Sequence, residues 1–549
     1  MITTPSLGLI TSAAARSKGA RKWNRSVVIL IFAAVLFPVS YTVADPDIWG
    51  HVRFGQDILA LGRIPTTDSY SYTSGARPWI NHELLAEIAF GWIFNQFGAV
   101  GLIVLKTLIV MLTLILVFWY ACRKGLEALP AGILMVMTAT LVLPDAIMVR
   151  PHIFTYLFYA VTMVVVNEAD AGRLRLLWVL PFLFALWINT HGGVLAGVAM
   201  LIVWSGVRVL LPAVVQRRAA LLKTRAAVTI YTVLGASLVA LLINPYGHQL
   251  VWFLVRTGTV PRPEITEWNA VRLLSFEGAG YAAFLVAMTV AIITGRHQLS
   301  MPIVALFVVT GALPLLAQRH LPLFGLTFAL LGAESVAAAW RRWTRIHGAN
   351  ATAIVSPWPT RIVGLSGAIL LLCCVPHFRG ILVDTKRFPM PVRAVEMIQR
   401  SGVGGNLAVL FDWGEYVIWH VGPRVQVSVD GRRETVYDAT SYRRNLDFMR
   451  GTGRWDALLT EYPTNMALVR RHSASANLLL QRTDWELLYQ DQLCALFAKR
   501  GRAAARALRR VAPPAVSPYG KGLKFPVALT TRPVGQHARK QPAAGFAAR

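Results

Sequence analysis

A multispanning α-helical membrane protein followed by a small soluble α/β domain is the fold class this sequence predicts, and three observations carry it. Of the 549 residues, 55% are hydrophobic and only 15% are charged, with a mean hydropathy of +0.50, whereas soluble domains carry roughly a quarter charged residues. Eleven apolar runs approach the ~20 residues that a helix needs to cross a hydrocarbon core about 30 Å thick. After about residue 380 the runs shorten to strand length.

The runs lie near 26–44, 98–121, 127–145, 152–167, 174–189, 192–211, 226–243, 279–295, 301–317, 320–340 and 362–378. The leading segment carries Arg16, Lys18, Arg21, Lys22 and Arg25 with no acid, so residues 1–25 read as a cytoplasmic basic N-terminus under the positive-inside rule. Later connections then alternate. Arg123 and Lys124, Arg173 and Arg175, the stretch Arg217 to Arg225, Arg296, and Arg341, Arg342 and Arg345 mark the inside. The outside holds the large first loop 45–97 and the connections 143–152, 188–193, 244–268 and 317–322. A basic start, an apolar core and "TVA" (42–44) before Asp45 also fit a cleaved signal peptide. The long basic lead and the runs that follow favour a retained span, and either way Asp45 faces out.

Residues 26–379 therefore read as the membrane domain and 380–498 as an extracytoplasmic α/β domain. In the latter, "NLAVLF" (406–411), "YVIWHV" (416–421), "RVQVSVD" (424–430), "MALVRR" (466–471) and "CALFAKR" (494–500) read as strands, with helices near 391–401, 438–462 and 473–481. From 499 to 549 the chain is basic, rich in Pro and Gly and free of acids, the composition of a disordered tail. The formal net charge of +28 belongs to these inside connections and the tail rather than to a nucleic-acid surface. Cys122, Cys373, Cys374 and Cys494 show no CxxC spacing and no polar even set, so no disulfide framework or zinc site is readable. A divalent cation is the one cofactor left open.

Polar groups crowd the ends of the outside connections: Asp45, Asp47, His51, Arg53, His82, Glu83, Arg150, His152, Asn189, His191, Asn244, Glu267, Arg319 and His320. Taken singly, each fits an interfacial or helix-capping role. As a set on one membrane face they point to a site, because charge beside a span is costly unless used or paired. Asp47 suits a general base for a hydroxyl acceptor, with Asp45 positioning it or raising its proton affinity. Arg53, Arg150 and Arg319 suit a phosphate, which guanidinium binds bidentately. Gly192 and Gly193 would allow close backbone approach to a ligand. Mid-span Lys106 and Glu334 read as isolated and unpaired, against the paired mid-span acids of a transporter.

A first span, an outside loop bearing a carboxylate, an amphipathic helix and many further spans resemble the GT-C class of membrane glycosyltransferases, including the RgtA/B/C/D-like enzymes. The string "DPDIWGHVRFGQDILALGRIP" (45–65) is similar to the first outside loop of oligosaccharyltransferase catalytic subunits, in which Asp47, Trp49 and Arg53 take the places of the acid, the aromatic and the arginine. "IAFGWIFNQFG" (88–98) then reads as an interfacial helix. The resemblance implies transfer of a sugar from a polyprenyl-phosphate donor to an extracytoplasmic glycan, lipid or protein, in the inner (plasma) membrane, with the bilayer and those substrates as partners and no nucleic acid. In that reading Asp47 and Asp45 are catalytic, and His51, Arg53, His82, Glu83, Arg150, His152, Asn189, His191, Glu267, Arg319 and His320 bind substrate. The soluble domain departs from the oligosaccharyltransferase pattern in lacking a WWD-like signature. Trp413, Trp419 and Arg432 there read either as aromatic core with a solvated charge or as acceptor contacts. Two other functions fit the same features: a noncatalytic glycan-binding, polymer-assembly or export protein, and a lipid-linked glycan ligase or polymerase.

Overall fold

The computed structural model describes residues 25–75, 77–258, 260, 265–346, 357–512 and 523–526. The basic segment 1–24, and the parts of the basic tail at 513–522 and 527–549, lie outside the described residues. The chain divides into two units. The first comprises Met1–Asp68, Ala76–Ile381 and Arg432–Asp438; the second takes Ser69–Gly75, Leu382–Gly431 and Ala439–Arg549.

Every apolar run in the first unit forms a helix. Arg25–Ser40 is α1; Ile48–Leu61, Leu84–Arg123, Ala128–Ala146 and His152–Asp170 are α2 to α5. Leu174–Ile188, Val194–Val215, Arg225–Ala240, Phe276–Gly295 and Met301–Leu315 follow, then the bent pair Gln318–Leu331 and Ala333–Ile346, and last Arg361–Arg379. Helices satisfy every backbone group internally, which hydrocarbon demands. Among the described residues, six helices are long and apolar enough to cross a membrane, seven if the pair bent by 57° is one span, and four more are shorter apolar helices. The protein is thus a multi-pass membrane protein. Helix α3 is broken at Gly98 (φ 59°, ψ −154°), a left-handed position that suits glycine. The break separates an amphipathic half, with Trp92 and Phe97 exposed, from the apolar run that begins there.

Lys106 and Glu334 are not isolated. Fully buried Lys106 donates from Nζ to the carbonyls of Val39 and Tyr41, the latter at 2.9 Å, and so fastens the end of α1. Glu334 pairs with Lys124 at 2.7 Å and with His297 at 3.2 Å. Hydropathy sees the charge but not the partner, because both partners are remote in sequence.

The second unit carries a five-stranded mixed sheet in the order β2-β1-β3-β5-β4, with β1 Gly405–Val409, β2 Val425–Val427, β3 Met466–Arg470, β4 Trp485–Gln490 and β5 Cys494–Lys499. β1 runs parallel to β2 and β3, while β5 is antiparallel to β3 and β4. "YVIWHV", expected as a strand, is instead the helix Gly414–Val421. A parallel β1–β2 pair needs a crossover, and this segment supplies it. β4, "WELLYQ", was not expected. Residues 69–75 lie along β2: Val427 N–H donates to Tyr70 O at 3.0 Å, Tyr72 N–H to Val427 O at 3.2 Å, and Thr73 Oγ1 to Ser428 O at 2.6 Å. Order continues past residue 498, against the expected tail boundary. Lys499 ends β5, and the helix Ala503–Arg509 buries Ala504, Ala505 and Leu508. Its arginines had masked a short amphipathic pattern.

Trp413 is fully buried and donates from Nε1 to Pro389 O at 2.7 Å, which places it in the core. Arg432 is not a solvated charge. In the first unit its guanidinium pairs with buried Asp68 at 2.7 Å and lies over the rings of Phe54 and Trp79, 4.8 and 4.9 Å from their centroids.

Candidate functional site

The five site-bearing connections meet at one end of the first unit. Val43 N–H donates to Ile147 O at 3.0 Å, which sets the start of the first loop beside the connection that carries Arg150. Leu85 N–H donates to Asn189 O at 2.8 Å, and Gln318 N–H to Asn269 O at 2.8 Å. The basic connections gather elsewhere: Lys124 pairs with Glu168 at 3.1 Å, Arg341 reaches Gly125 O at 3.4 Å, and Arg342 reaches Thr294 O at 3.3 Å.

Arg150 organises the acids. Its Nε lies 2.6 Å from Asp45 Oδ2, its Nη2 donates to Asp47 Oδ2, and its Nη1 lies 3.6 Å from Glu267 Oε2. Asp47 occupies the cap position of α2, yet its carboxylate turns to Arg150 rather than capping the helix backbone. The two acids diverge. Burial of the Asp45 carboxyl, 1% exposed, outweighs the pull of Arg150 and pushes it up to about 6, with Asp47 adding to the rise. Burial acts on Asp47 too, but Arg150 and His51 together hold it below the usual carboxylate range. Arg150 itself, though partly buried, is held protonated by Asp45, Asp47 and Glu267.

One turn after Asp47, His51 N–H donates to Asp47 O at 3.0 Å. The His51 ring enters a second cluster: Nδ1 lies 3.3 Å from Glu87 Oε1 and 3.8 Å from Glu83 Oε2. Against the effect of burial, these two carboxylates raise His51 to about 9. The approach of α2 to α3 is built by two glycines. A Cβ on Gly55 would lie 1.8 Å from Glu87 O, and one on Gly91 would lie 2.6 Å from Gln56 N. His51 and Glu87 each sit one turn before those glycines, so the close crossing brings them together. Asn81 Nδ2 holds Glu87 Oε2 at 2.6 Å, and Asn81 Oδ1 accepts from Glu83 N–H at 3.0 Å.

Glu83 Oε1 faces Nε2 of both His82 and His191 at 3.7 Å. His191 Nδ1 accepts from Gly193 N–H at 3.0 Å and lies 2.8 Å from Thr155 Oγ1, which itself accepts from Trp187 Nε1 at 2.9 Å. These contacts put the His191 proton on Nε2, toward Glu83. Burial, with the charge of Arg319 adding to it, holds His191 neutral, well below its ordinary value. The glycine pair serves this packing, since a Cβ on Gly193 would meet Thr155 Oγ1 at 2.5 Å. The His152 ring lies 6.5 Å from that of His191, and the Arg319 guanidinium lies 4.4 Å from the Trp268 ring centroid. His320 follows in the same short 3-10 turn.

Three expected residues are engaged elsewhere. Arg53 Nε donates to Asp57 at 2.8 Å on its own helix. Asn189 donates to Ala185 O and Ile243 O at 2.8 and 2.7 Å, and Asn244 ties a turn through Leu241 O and Gly247 O. Glu87 and Asn81 escaped the sequence reading, although Glu83 and Glu87 stand at the i, i+4 spacing that shares a helix face.

No protein-family model matches the sequence, and no curated protein matches it either. Solved structures do. The apo oligosaccharyltransferase of Archaeoglobus fulgidus is similar over 82% of this chain and 69% of its own, with 9% identity and a TM-score of 0.54. The same archaeal enzyme, AglB, in complex with an inhibitory peptide and a dolichol-phosphate gives 9% identity and 0.52 over the same shares. Its form tethered to an acceptor peptide containing the NVT sequon gives 10% and 0.52, again over 82% and 69%.

Proposed function

We propose, for a chain that has the GT-C fold of membrane glycosyltransferases, that it transfers a sugar from a polyprenyl-phosphate donor to an extracytoplasmic acceptor. The observation that carries this reading is the Asp45–Arg150–Asp47 arrangement immediately after the first apolar helix. The lipid phosphate and acceptor peptide bound by the archaeal enzyme of the same fold support a lipid-linked donor here. The alternation of basic and site-bearing connections supports an inner-membrane protein whose site and C-terminal domain face outward.

In this mechanism Asp47, 22% exposed, takes the proton of the acceptor hydroxyl as that oxygen attacks the anomeric carbon, and the lipid phosphate leaves. Arg150 is divided among three carboxylates. Arg319 has no carboxylate partner among the described residues, and so is the readier ligand for the donor phosphate. A phosphate that also draws on the Arg150 fork loosens its hold on Asp47 and restores the proton affinity a base needs. Buried Asp45 keeps Arg150 in place.

The test is transfer by the purified full-length chain in lipid nanodiscs, using a labelled polyprenyl-phosphate sugar and a panel of acceptors. Asp47→Asn should lower turnover by about 10²-fold or more at unchanged donor binding. Near-normal turnover in that variant rejects Asp47 as the base, and donor binding without any release of lipid phosphate in the wild type favours a noncatalytic glycan-binding protein.

A further inference from the structure

We propose that His51, Glu83 and Glu87 form a binding site for a divalent first-row transition-metal ion, a site that goes beyond the sugar-transfer reading and does not depend on it. The three donor atoms lie within 4.8 Å of one another. The two separations from His51 Nδ1, 3.3 and 3.8 Å, are close to the ~3.4 Å between neighbouring donors that metal–ligand bonds of about 2.1 Å give in a tetrahedron. One nitrogen and two carboxylate oxygens suit manganese, iron or zinc better than magnesium or calcium, which favour all-oxygen shells.

The outer contacts are those of a built site. Each carboxylate offers one oxygen inward, Glu87 Oε1 and Glu83 Oε2, while its other oxygen is held or faced from outside. Glu87 Oε2 accepts from Asn81, and Glu83 Oε1 faces the Nε2–H of His191. Such outer partners orient ligands around an ion. His191 is excluded as a ligand, because Gly193 N–H occupies its Nδ1 and the proton stays on Nε2. The glycine crossing of α2 and α3 fixes the two supporting backbones before any ion arrives. Charge agrees. Once an ion has displaced the proton from His51 Nδ1, two carboxylates beside the imidazole carry two negative charges in a pocket where His51 is 8% and Glu87 3% exposed, and a dication cancels them. The ion would stand one helical turn from Asp47, with coordination positions left for water or a substrate oxygen.

The experiment uses Mn2+ with the purified full-length chain and reads affinity and nitrogen coupling by electron paramagnetic resonance. One ion per chain is expected, with a single histidine nitrogen coupling that changes when the wild-type protein is labelled with [15N]histidine. His51→Gln should remove that coupling, and Glu87→Gln should abolish tight binding. Asn81→Ala, which leaves all three ligands in place, should weaken Mn2+ by about 10–100-fold, and Asp47→Asn should leave the stoichiometry unchanged. Binding without histidine coupling in the labelled wild type, an arm that needs no substitution, overturns the proposal. So does wild-type affinity in both the His51→Gln and Glu87→Gln variants.

Discussion

Replacing Asp45 with Asn should stabilise the protein at neutral pH and do nothing comparable in acid. Burial lifts the Asp45 carboxyl from 3.8 to about 6 despite the neighbouring guanidinium. At 1.4 kcal/mol per pH unit, that rise corresponds to about 3 kcal/mol by which the folded chain prefers the protonated acid. The folded state thus binds this proton more tightly than the unfolded state. The linked stability is fully present below pH 3.8 and is lost as pH rises through about 6. Asn mimics the protonated form and lacks the dependence, so the wild type should lose about 2 kcal/mol of that relative to Asp45→Asn between pH 4 and pH 7.5. Thermal unfolding in detergent can be followed by a thiol-reactive dye, because Cys374 and Cys494 are buried in the folded chain and react on unfolding. The gap between the two melting curves should open across that window. A gap that stays constant from pH 4 to pH 7.5 refutes the assignment of a buried, proton-retaining carboxyl at residue 45.

Arg319→Ala should weaken donor binding by about 1.5–3 kcal/mol, the scale of a charged hydrogen bond, measured by titration of the labelled lipid donor; unchanged affinity removes Arg319 from the phosphate site. Lys106→Met strips two carbonyls of their buried donor and should cost about 1–3 kcal/mol of stability, with a loss of turnover as the segment before Asp45 loosens; equal melting and equal rates would show that the fastening is dispensable. Gly91→Ala forces a Cβ to within 2.6 Å of Gln56 N. It should cost about 1–3 kcal/mol by overpacking and weaken Mn2+ more than it weakens the lipid donor, since it parts the helices that hold His51 and Glu87; equal losses of both ligands would mean general unfolding.

Much of the membrane unit was legible because one physical demand dominates it. Helices in hydrocarbon must be apolar over a fixed length, so the eleven runs in the sequence coincide with the helices found. The α/β unit obeys no such rule. "YVIWHV" is rich in β-branched and aromatic residues and apolar but for His420, and only its pairing topology makes it a helix. The site was half legible. Acids, arginines and histidines near span ends can be gathered by topology alone, and that gathered Asp45, Asp47, Arg150 and Glu267. What each one touches is set by side-chain direction across remote connections. Arg53 turns along its own helix to Asp57, and Asn189 straps two backbone carbonyls, though both stand at the expected membrane face. The partners that tune His51 lie 32 and 36 residues further on, across a crossing that depends on Gly55 and Gly91.

The two units exchange short pieces of chain, and this limits how freely evolution or an engineer can recombine them. Residues 69–75, drawn from the first loop, line the otherwise open edge of β2, and Arg432, drawn from the C-terminal half, is the counter-ion of Asp68 among the residues of the first unit. Cutting the chain near residue 380 would leave Asp68 buried without its guanidinium, a loss of several kcal/mol for a broken buried pair, and would give the sheet an unprotected edge of the kind that promotes aggregation. The C-terminal sheet is therefore not a portable module that can be grafted onto another membrane scaffold. Any redesign of the sheet edge at β2 must carry residues 69–75 with it.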